Sequence, residues 1–250
     1  MSRVLIIPAA GRGSRLQAEV PKFLYPINGK PMIDRLIAMY SKYADCNVVV
    51  VGLDHLDAAT RHFQRCHNVS LATQSQPTGM LDAILAARDL VNTIAPRSIW
   101  ITWCDQIALR QETLQRLADL TGSESQAPMT FPTVVRTDPY IHFERDSEQK
   151  IIGLCERREG DPMPDVGEND VGLFAMTLAA YDLLGDVYAM DPPRGRATAE
   201  RNFLPFIPWL ARARRVSTFP ATDTTEAIGV NTAADAEALA GVIENIEHES

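Results

Sequence analysis

Two basic side chains, Arg15 and Lys22, follow a run of small residues, Ala9, Ala10, Gly11 and Gly13. That run ends an apolar segment, Val4 to Ile7, which reads as a buried strand. Small residues let a backbone approach a ligand closely, and glycine tolerates φ > 0. Successive exposed N–H groups in such a loop form an anion-binding concavity. Strand, tight loop and two fixed cations together make a cradle suited to a triphosphate. Two other glycine-loop chemistries fit worse. A dinucleotide fingerprint needs a glycine where Leu16 stands, and a P-loop needs Ser or Thr after Gly29-Lys30, where this chain has Pro31. Far along the chain, Asp105 directly follows the apolar segment Ile99 to Trp103. A carboxylate at the end of a parallel strand is well placed for Mg2+, which takes one or two protein carboxylates plus phosphate oxygens.

Those groups need a frame. The period of the apolar residues predicts strands over Val4–Ile7, Asn47–Gly52, Val69–Thr73 and Ile99–Trp103. Between them it predicts helices over Met32–Tyr40, Asp57–Cys66 and Gly79–Leu90, with another over Thr113–Leu120. Val48 to Val51 is continuously β-branched, as in a parallel strand buried on both faces. Alternation of this kind predicts a three-layer, doubly wound, mostly parallel α/β sheet of the Rossmann-like type. Ligands then bind at the carboxyl ends of the strands. Past residue 123 the regularity falls. Strands are expected over Met129–Val135, Tyr140–Phe143, Lys150–Cys155, Val171–Met176 and Val216–Phe219, a polar loop over Arg157–Glu168, and helices over Arg201–Ala211 and Ala233–Ile246. The expected organisation is one domain over residues 1–250, with a nucleotide lobe to about 122 and an acceptor lobe from about 123.

Composition bounds the partners. The 250 residues are 46% hydrophobic and 22% charged, ordinary globular values. A net charge of −8 makes nucleic acid an unsuitable partner. Residues 1–42 nevertheless hold seven cations against two acids, a local +5 that leaves −13 on the remainder. A basic segment on an acidic protein suits a local anionic ligand. Cys46, Cys66, Cys104 and Cys155 show no metal spacing and no disulfide framework. No apolar run approaches a membrane span, and the expectation is a cytoplasmic chain without a signal peptide.

From Ala9 to Arg15, and on to Pro21-Lys22, the chain resembles the signature of the sugar-nucleotide pyrophosphorylases, nucleotidyltransferases that join a nucleoside triphosphate to a sugar 1-phosphate. It is most similar to the uridylyltransferase domain that makes UDP-N-acetylglucosamine, without the left-handed β-helix of hexapeptide repeats that follows in bifunctional members. The resemblance implies nucleotide contacts from Ala9, Ala10, Gly11, Gly13, Ser14, Arg15 and Lys22, with Arg15, Lys22 and Asp105 as the catalytic set. It implies Mg2+ held by Asp105 and by Asn231 of the segment Gly229-Val230-Asn231. Asn231 also suits a helix cap before Ala233.

Gln74, followed by Gly79 and Met80, matches the family's base-reading segment, with Gln76 as a rival. An amide offers donor and acceptor, so it pairs with uracil or, flipped, with cytosine. Glu156 and Asn169 match the acceptor site, where carboxylate and amide suit sugar hydroxyls. Three departures stand out: Cys104 replaces a glycine before Asp105, Met80 replaces a threonine, and Pro139-Tyr140-Ile141-His142 replaces the glycine-rich G-Y-G-R turn of the acceptor site. The implied reaction joins UTP or CTP to a phosphorylated small molecule, releasing pyrophosphate. A cytidylyltransferase acting on a non-sugar phosphate or phosphonate stays open, as do a nucleotide-sensing module without chemistry and homo-oligomerisation. The five histidines read as solvated, Trp100 and Trp103 as core or pocket wall, and Arg194, Arg196 and Arg201 as solvated loop residues or acceptor-phosphate ligands.

Overall fold

The computed structural model describes residues 2–11, 13, 16, 20–122 and 127–249. Arg12, Ser14 and Arg15 of the signature loop lie outside the described residues.

In chain order the strands are β1 (Arg3–Pro8), β2 (Pro26–Ile27), β3 (Lys30–Pro31), β4 (Cys46–Gly52), β5 (Val69–Gln74), β6 (Ser98–Thr102), β7 (Met129–Thr137), β8 (Ile141–Arg145), β9 (Ile151–Glu156), β10 (Val166–Asp170), β11 (Leu173–Thr177) and β12 (Val216–Pro220). The helices are α1 (Met32–Met39), α2 (Leu56–Phe63), α3 (Met80–Leu85), α4 (Arg88–Ile94), α5 (Gln111–Thr121), α6 (Leu178–Asp186), α7 (Phe206–Ala211) and α8 (Ala233–Glu249). The central sheet runs β10-β7-β11-β6-β1-β4-β5, with β12 paired to β7. β6, β1, β4 and β5 are parallel, while β11 lies antiparallel to both β6 and β7. The fold is a mixed, mostly parallel sheet with helices on both sides, the α/β fold of nucleotide-diphospho-sugar transferases.

Alternation within β1 explains the two-sided burial. Leu5 and Ile7 join a core with Phe23, Met32 and Leu239 on one face. Val4 and Ile6 join a second core with Ile84, Phe174 and Phe206 on the other. The same alternation splits Val49 and Val51 from Val48 and Val50 in β4. All eight of these β1 and β4 side chains are fully buried, so neither strand tolerates a polar substitution on either face.

Several boundaries differ from expectation. The helix over Gly79–Leu90 is two helices, because the chain turns at Ala86-Ala87 to present Val91 to the core. The expected Arg201–Ala211 helix starts only at Phe206, after Pro205. The supposed loop Arg157–Glu168 contains a short helical turn and the start of β10, whose polar residues pair with β7 and so escape an apolar-period reading. Gly172, at φ +69, separates β10 from β11, so the strand expected from Val171 begins at Leu173. No helix among the described residues is long and apolar enough to cross a membrane.

Candidate active site

Lys22 opens a short helical turn, Lys22–Leu24, fixed by the fully buried Phe23. Its stem lies against Gly13. A Cβ at Gly13 would sit 2.7 Å from Lys22 Cβ, and Gly13 has φ +59, so glycine is required both for space and for conformation. Ala9 is buried, and its N–H donates to Val50 O at 2.7 Å, extending the sheet to the start of the loop. Leu16 is buried and its N–H returns to Gly13 O at 3.0 Å.

From that base the Lys22 ammonium reaches two oxygen atoms. Nζ lies 2.5 Å from Asp105 Oδ2 and donates to Asn231 Oδ1 at 3.0 Å. Both members of the Lys22–Asp105 pair are 13% exposed, so the charges are largely removed from water. Asp105 stands just beyond β6, and its carbonyl accepts from Val230 N at 3.2 Å. Gly229 lets this approach happen, since a Cβ there would lie 3.2 Å from the Asp105 carboxyl carbon. Asn231 is aimed by its own neighbours: its Nδ2 donates to Gly229 O, and the N–H groups of Asn231 and Thr232 both donate to Asp235 Oδ2. Asp235 N in turn donates to Thr232 Oγ1, a reciprocal cap at the start of α8. The cap therefore belongs to Thr232, which leaves the Asn231 amide oxygen turned to Lys22. Desolvation, reinforced by Asp105, pushes the Cys104 thiol up to about 12, so this replacement for glycine stays neutral.

Gln74 ends β5 and is nearly buried, and its Nε2 donates to Gly79 O at 3.0 Å. Gln76 is exposed. Gly79 has φ +131, and a Cβ there would lie 2.4 Å from Arg201 O. Arg201 N donates to Thr78 O, Leu81 N donates to Arg201 O, and the guanidinium pairs with Asp82 and with Ala189 O. Arg201 is thus neither solvated nor a phosphate ligand in this structure. It clamps the loop that runs from Gln74 into Met80, the first residue of α3.

In the second half of the chain, Asn169 is 5% exposed, and its Oδ1 accepts from both Tyr140 N and Ile141 N, at 3.2 and 2.9 Å. Its Nδ2 donates to Asp170 O at 2.5 Å. The Asn169 amide is therefore spent on shaping the turn that replaces the glycine-rich one, and Tyr140 itself is exposed. Glu156 lies opposite Ile141 in the β8–β9 pair. Desolvation, then the neighbouring Glu159 and Asp170, raise its carboxyl to about 7. Asp170 is itself raised to about 6 by burial.

Two histidines expected to be solvated have partners. His62 Nε2 meets Asp34 at 2.6 Å, and His142 Nδ1 accepts from Glu168 N. Arg196 pairs with Asp161, and Arg194 donates to Ala199 O. Trp100 is core, and Trp103 packs on Phe174 and Phe203.

Two residues take on structural roles that the sequence did not announce. Gly172 binds the two halves of the site: Trp103 N donates to Gly172 O, and a Cβ at 172 would lie 2.5 Å from Gln106 and Trp103. Glu159 accepts from Ala197, Thr198 and Asn202, and these bonds outweigh its burial, holding its carboxyl down at about 2. The signal that could have found Gly172 is the isolated glycine between two β patterns. Among the described residues no group of three His, Cys, Asp or Glu could hold a metal. An oxygen set of one carboxylate and one amide is still what Mg2+ accepts when phosphates complete its shell.

Comparison with known proteins gives the family. The bifunctional protein GlmU of Syntrophotalea carbinolica is 29% identical over 233 residues, covering 90% of this chain and 48% of the relative. That of Thermodesulfovibrio yellowstonii is 27% identical over 237 residues, 92% of this chain and 50% of the relative. GlmU of Thermus thermophilus is 29% identical over 246 residues, 95% of this chain and 51% of the relative. The chain thus spans about half the length of the curated relatives it matches. A family model described as the MobA-like NTP transferase domain matches residues 5–162, and with more than half its length so matched the chain belongs to the family of MobA-like NTP transferase domains.

Proposed function

We propose that this chain transfers a nucleotidyl group from a pyrimidine nucleoside triphosphate, UTP or CTP, to a phosphorylated small-molecule acceptor, releasing pyrophosphate. The observation that carries the reading is the Lys22 ammonium held between Asp105 and Asn231, beside the glycine loop. Family membership and the GlmU relatives support pyrophosphorylase-type chemistry in general; base and acceptor are our assignment.

In this reading an acceptor phosphate oxygen attacks the α-phosphorus in line and pyrophosphate departs. The attacking phosphate is already ionised, so no general base is needed. Catalysis is then positioning plus charge neutralisation. Lys22 stands where charge develops between α-phosphate and acceptor. Arg15 and the loop N–H groups hold the departing pyrophosphate, and Gln74 reads the base. Asp105 Oδ2 and Asn231 Oδ1 already converge on one cation, the Lys22 ammonium, which fits them as a Mg2+ pair. Mg2+ there supplies further neutralisation of phosphate charge. The first half of the chain then serves the nucleotide and the second the acceptor.

A second reading, a non-sugar phosphate or phosphonate acceptor, is favoured by the turn at Tyr140-Ile141, whose backbone N–H groups are taken by Asn169 and not offered to a sugar. Pyrophosphate release measured with each of the four common NTPs against a panel of phosphorylated acceptors tests both. Release confined to one pyrimidine NTP supports the assignment. Nucleotide binding without release under any acceptor would contradict it and favour a sensing module.

A further inference from the structure

A cavity of about 400 Å3 opens beside Glu156, bounded by β9, by α7 and by the Tyr188–Met190 turn. Its charged groups are mostly committed. Glu159 is saturated by Ala197, Thr198 and Asn202. Asp161 pairs with Arg196 and accepts from Glu156 N, and Arg158 pairs with Glu200. Arg194 and Arg212 stand at the exposed rim. The Glu156 carboxyl receives no hydrogen bond among the described residues, although it is largely withdrawn from water; two acids, Glu159 and Asp170, and one cation, Arg158, act on it.

A second, independent feature marks the same cavity. Tyr188 is 4% exposed, its hydroxyl is buried, and among the described residues that hydroxyl has no hydrogen-bond partner. It lies within electrostatic reach of Glu156. Its ring packs on Trp209, centroids 5.5 Å apart, and both line the cavity. Buried polar groups are normally paired, so an unpartnered hydroxyl on a side chain that lines the cavity sets this wall apart, although the oxygen itself is closed off from the cavity. Asn202 Nδ2 and the Arg196 guanidinium, which could serve an uncharged polyol, are already spent on carboxylates. A cation fits well: aromatic faces attract it and a desolvated carboxylate pairs with it.

We propose that this cavity receives a cationic nitrogen, an amino or ammonium group, carried by the acceptor opposite its phosphate or phosphonate, with Glu156 as counter-ion and Tyr188 and Trp209 as walls. The proposal rests on the nucleotidyl-transfer reading and names its acceptor class. Contacts lead from this end towards the glycine-loop site: Asp170, which acts electrostatically on Glu156, accepts at Oδ1 from Gly172 N, and Gly172 abuts Gln106 and Trp103, which flank the Cys104-Asp105 turn.

The test uses the full chain, saturating nucleotide and Mg2+, and matched acceptors that differ in charge: phosphocholine against 3,3-dimethylbutyl phosphate, and 2-aminoethylphosphonate against propylphosphonate. Pyrophosphate release should show kcat/KM for the cationic member about thirtyfold above its neutral partner, the factor a charge-assisted contact supplies. Glu156→Gln should shrink that ratio to about threefold or less, and Tyr188→Phe should raise KM for the cationic acceptor more than it lowers kcat. Equal or better use of the neutral members, or an unchanged ratio in Glu156→Gln, would overturn the proposal while leaving nucleotidyl transfer intact. If no acceptor yields pyrophosphate, transfer itself fails. Calorimetric binding of phosphocholine and 3,3-dimethylbutyl phosphate to wild type and Glu156→Gln then decides the cavity. Preference for phosphocholine lost in the variant upholds it, and absent or equal binding refutes it.

Discussion

Removing the Asp105 carboxylate takes a negative charge from beside the Lys22 ammonium and the Asn231 amide oxygen, in a place 13% exposed. Asp105→Ala should lower turnover by a factor on the order of a thousand, the scale of losing a charged group at a reacting phosphate. Steady-state rates across Mg2+ concentrations check it, and unchanged Mg2+ dependence would refute the ligand assignment. Gly13→Ala forces a methyl into Lys22 Cβ and onto a backbone at φ +59. We expect a loss of about 1–3 kcal/mol in stability and a fall in turnover larger than unfolding explains, read by denaturant titration beside kinetics. Glu156 offers a pH signature. Its carboxyl is raised to about 7 against an ordinary value of 4.5, so the folded chain binds the proton more tightly than the unfolded one. Its contribution is present below 4.5 and is lost as pH rises towards 7. Glu156→Gln should melt closer to wild type at pH 5 and above it at pH 8; a constant difference would contradict the raised value.

The loop between β5 and α3 shows how far a sequence can be read at the scale of elements. Gln74 and Gly79 were legible because their types and spacing are local. The clamp was not, since Arg201 lies 119 residues from its partner Asp82 and nothing near it in sequence announces the pairing. Arg201→Ala should therefore loosen the loop from Gln74 to Met80, which we propose reads the nucleotide, from a distance. We expect about 2 kcal/mol of lost stability, from a charge-assisted contact that is partly buried, and a severalfold rise in KM for the nucleotide with kcat less affected. Unchanged KM and unchanged melting would dismiss the clamp. The strands of the first half were readable from continuous β-branched runs, and the helices from their period. β10 was not, because Glu168, Asn169 and Asp170 are polar, and Asn169 and Asp170 are buried by pairing instead of by apolar character.

At the scale of the molecule, the site is where four parallel strands and a late turn end together. Lys22 and Asn231 are 209 residues apart, and only folding brings them to one cation. The signature from Ala9 to Lys22 could be recognised because it is contiguous, whereas Asn231 was legible only through family likeness. Tyr188 and Trp209 carried no such likeness; their meaning depends on what they face. That difference is physical: backbone cradles are written in consecutive small residues, while cavities are written in contacts between distant elements.

The most direct measurement follows the label of an NTP carrying radioactive phosphorus at the α position, in Mg2+, with the acceptor panel, for wild type and Lys22→Ala. The account predicts that label moves from the triphosphate into an acceptor-linked pyrophosphate diester while unlabelled pyrophosphate is released, and that the variant loses nearly all of this. Label that stays in the triphosphate for every NTP and acceptor, or a variant that transfers as fast as wild type, would contradict it.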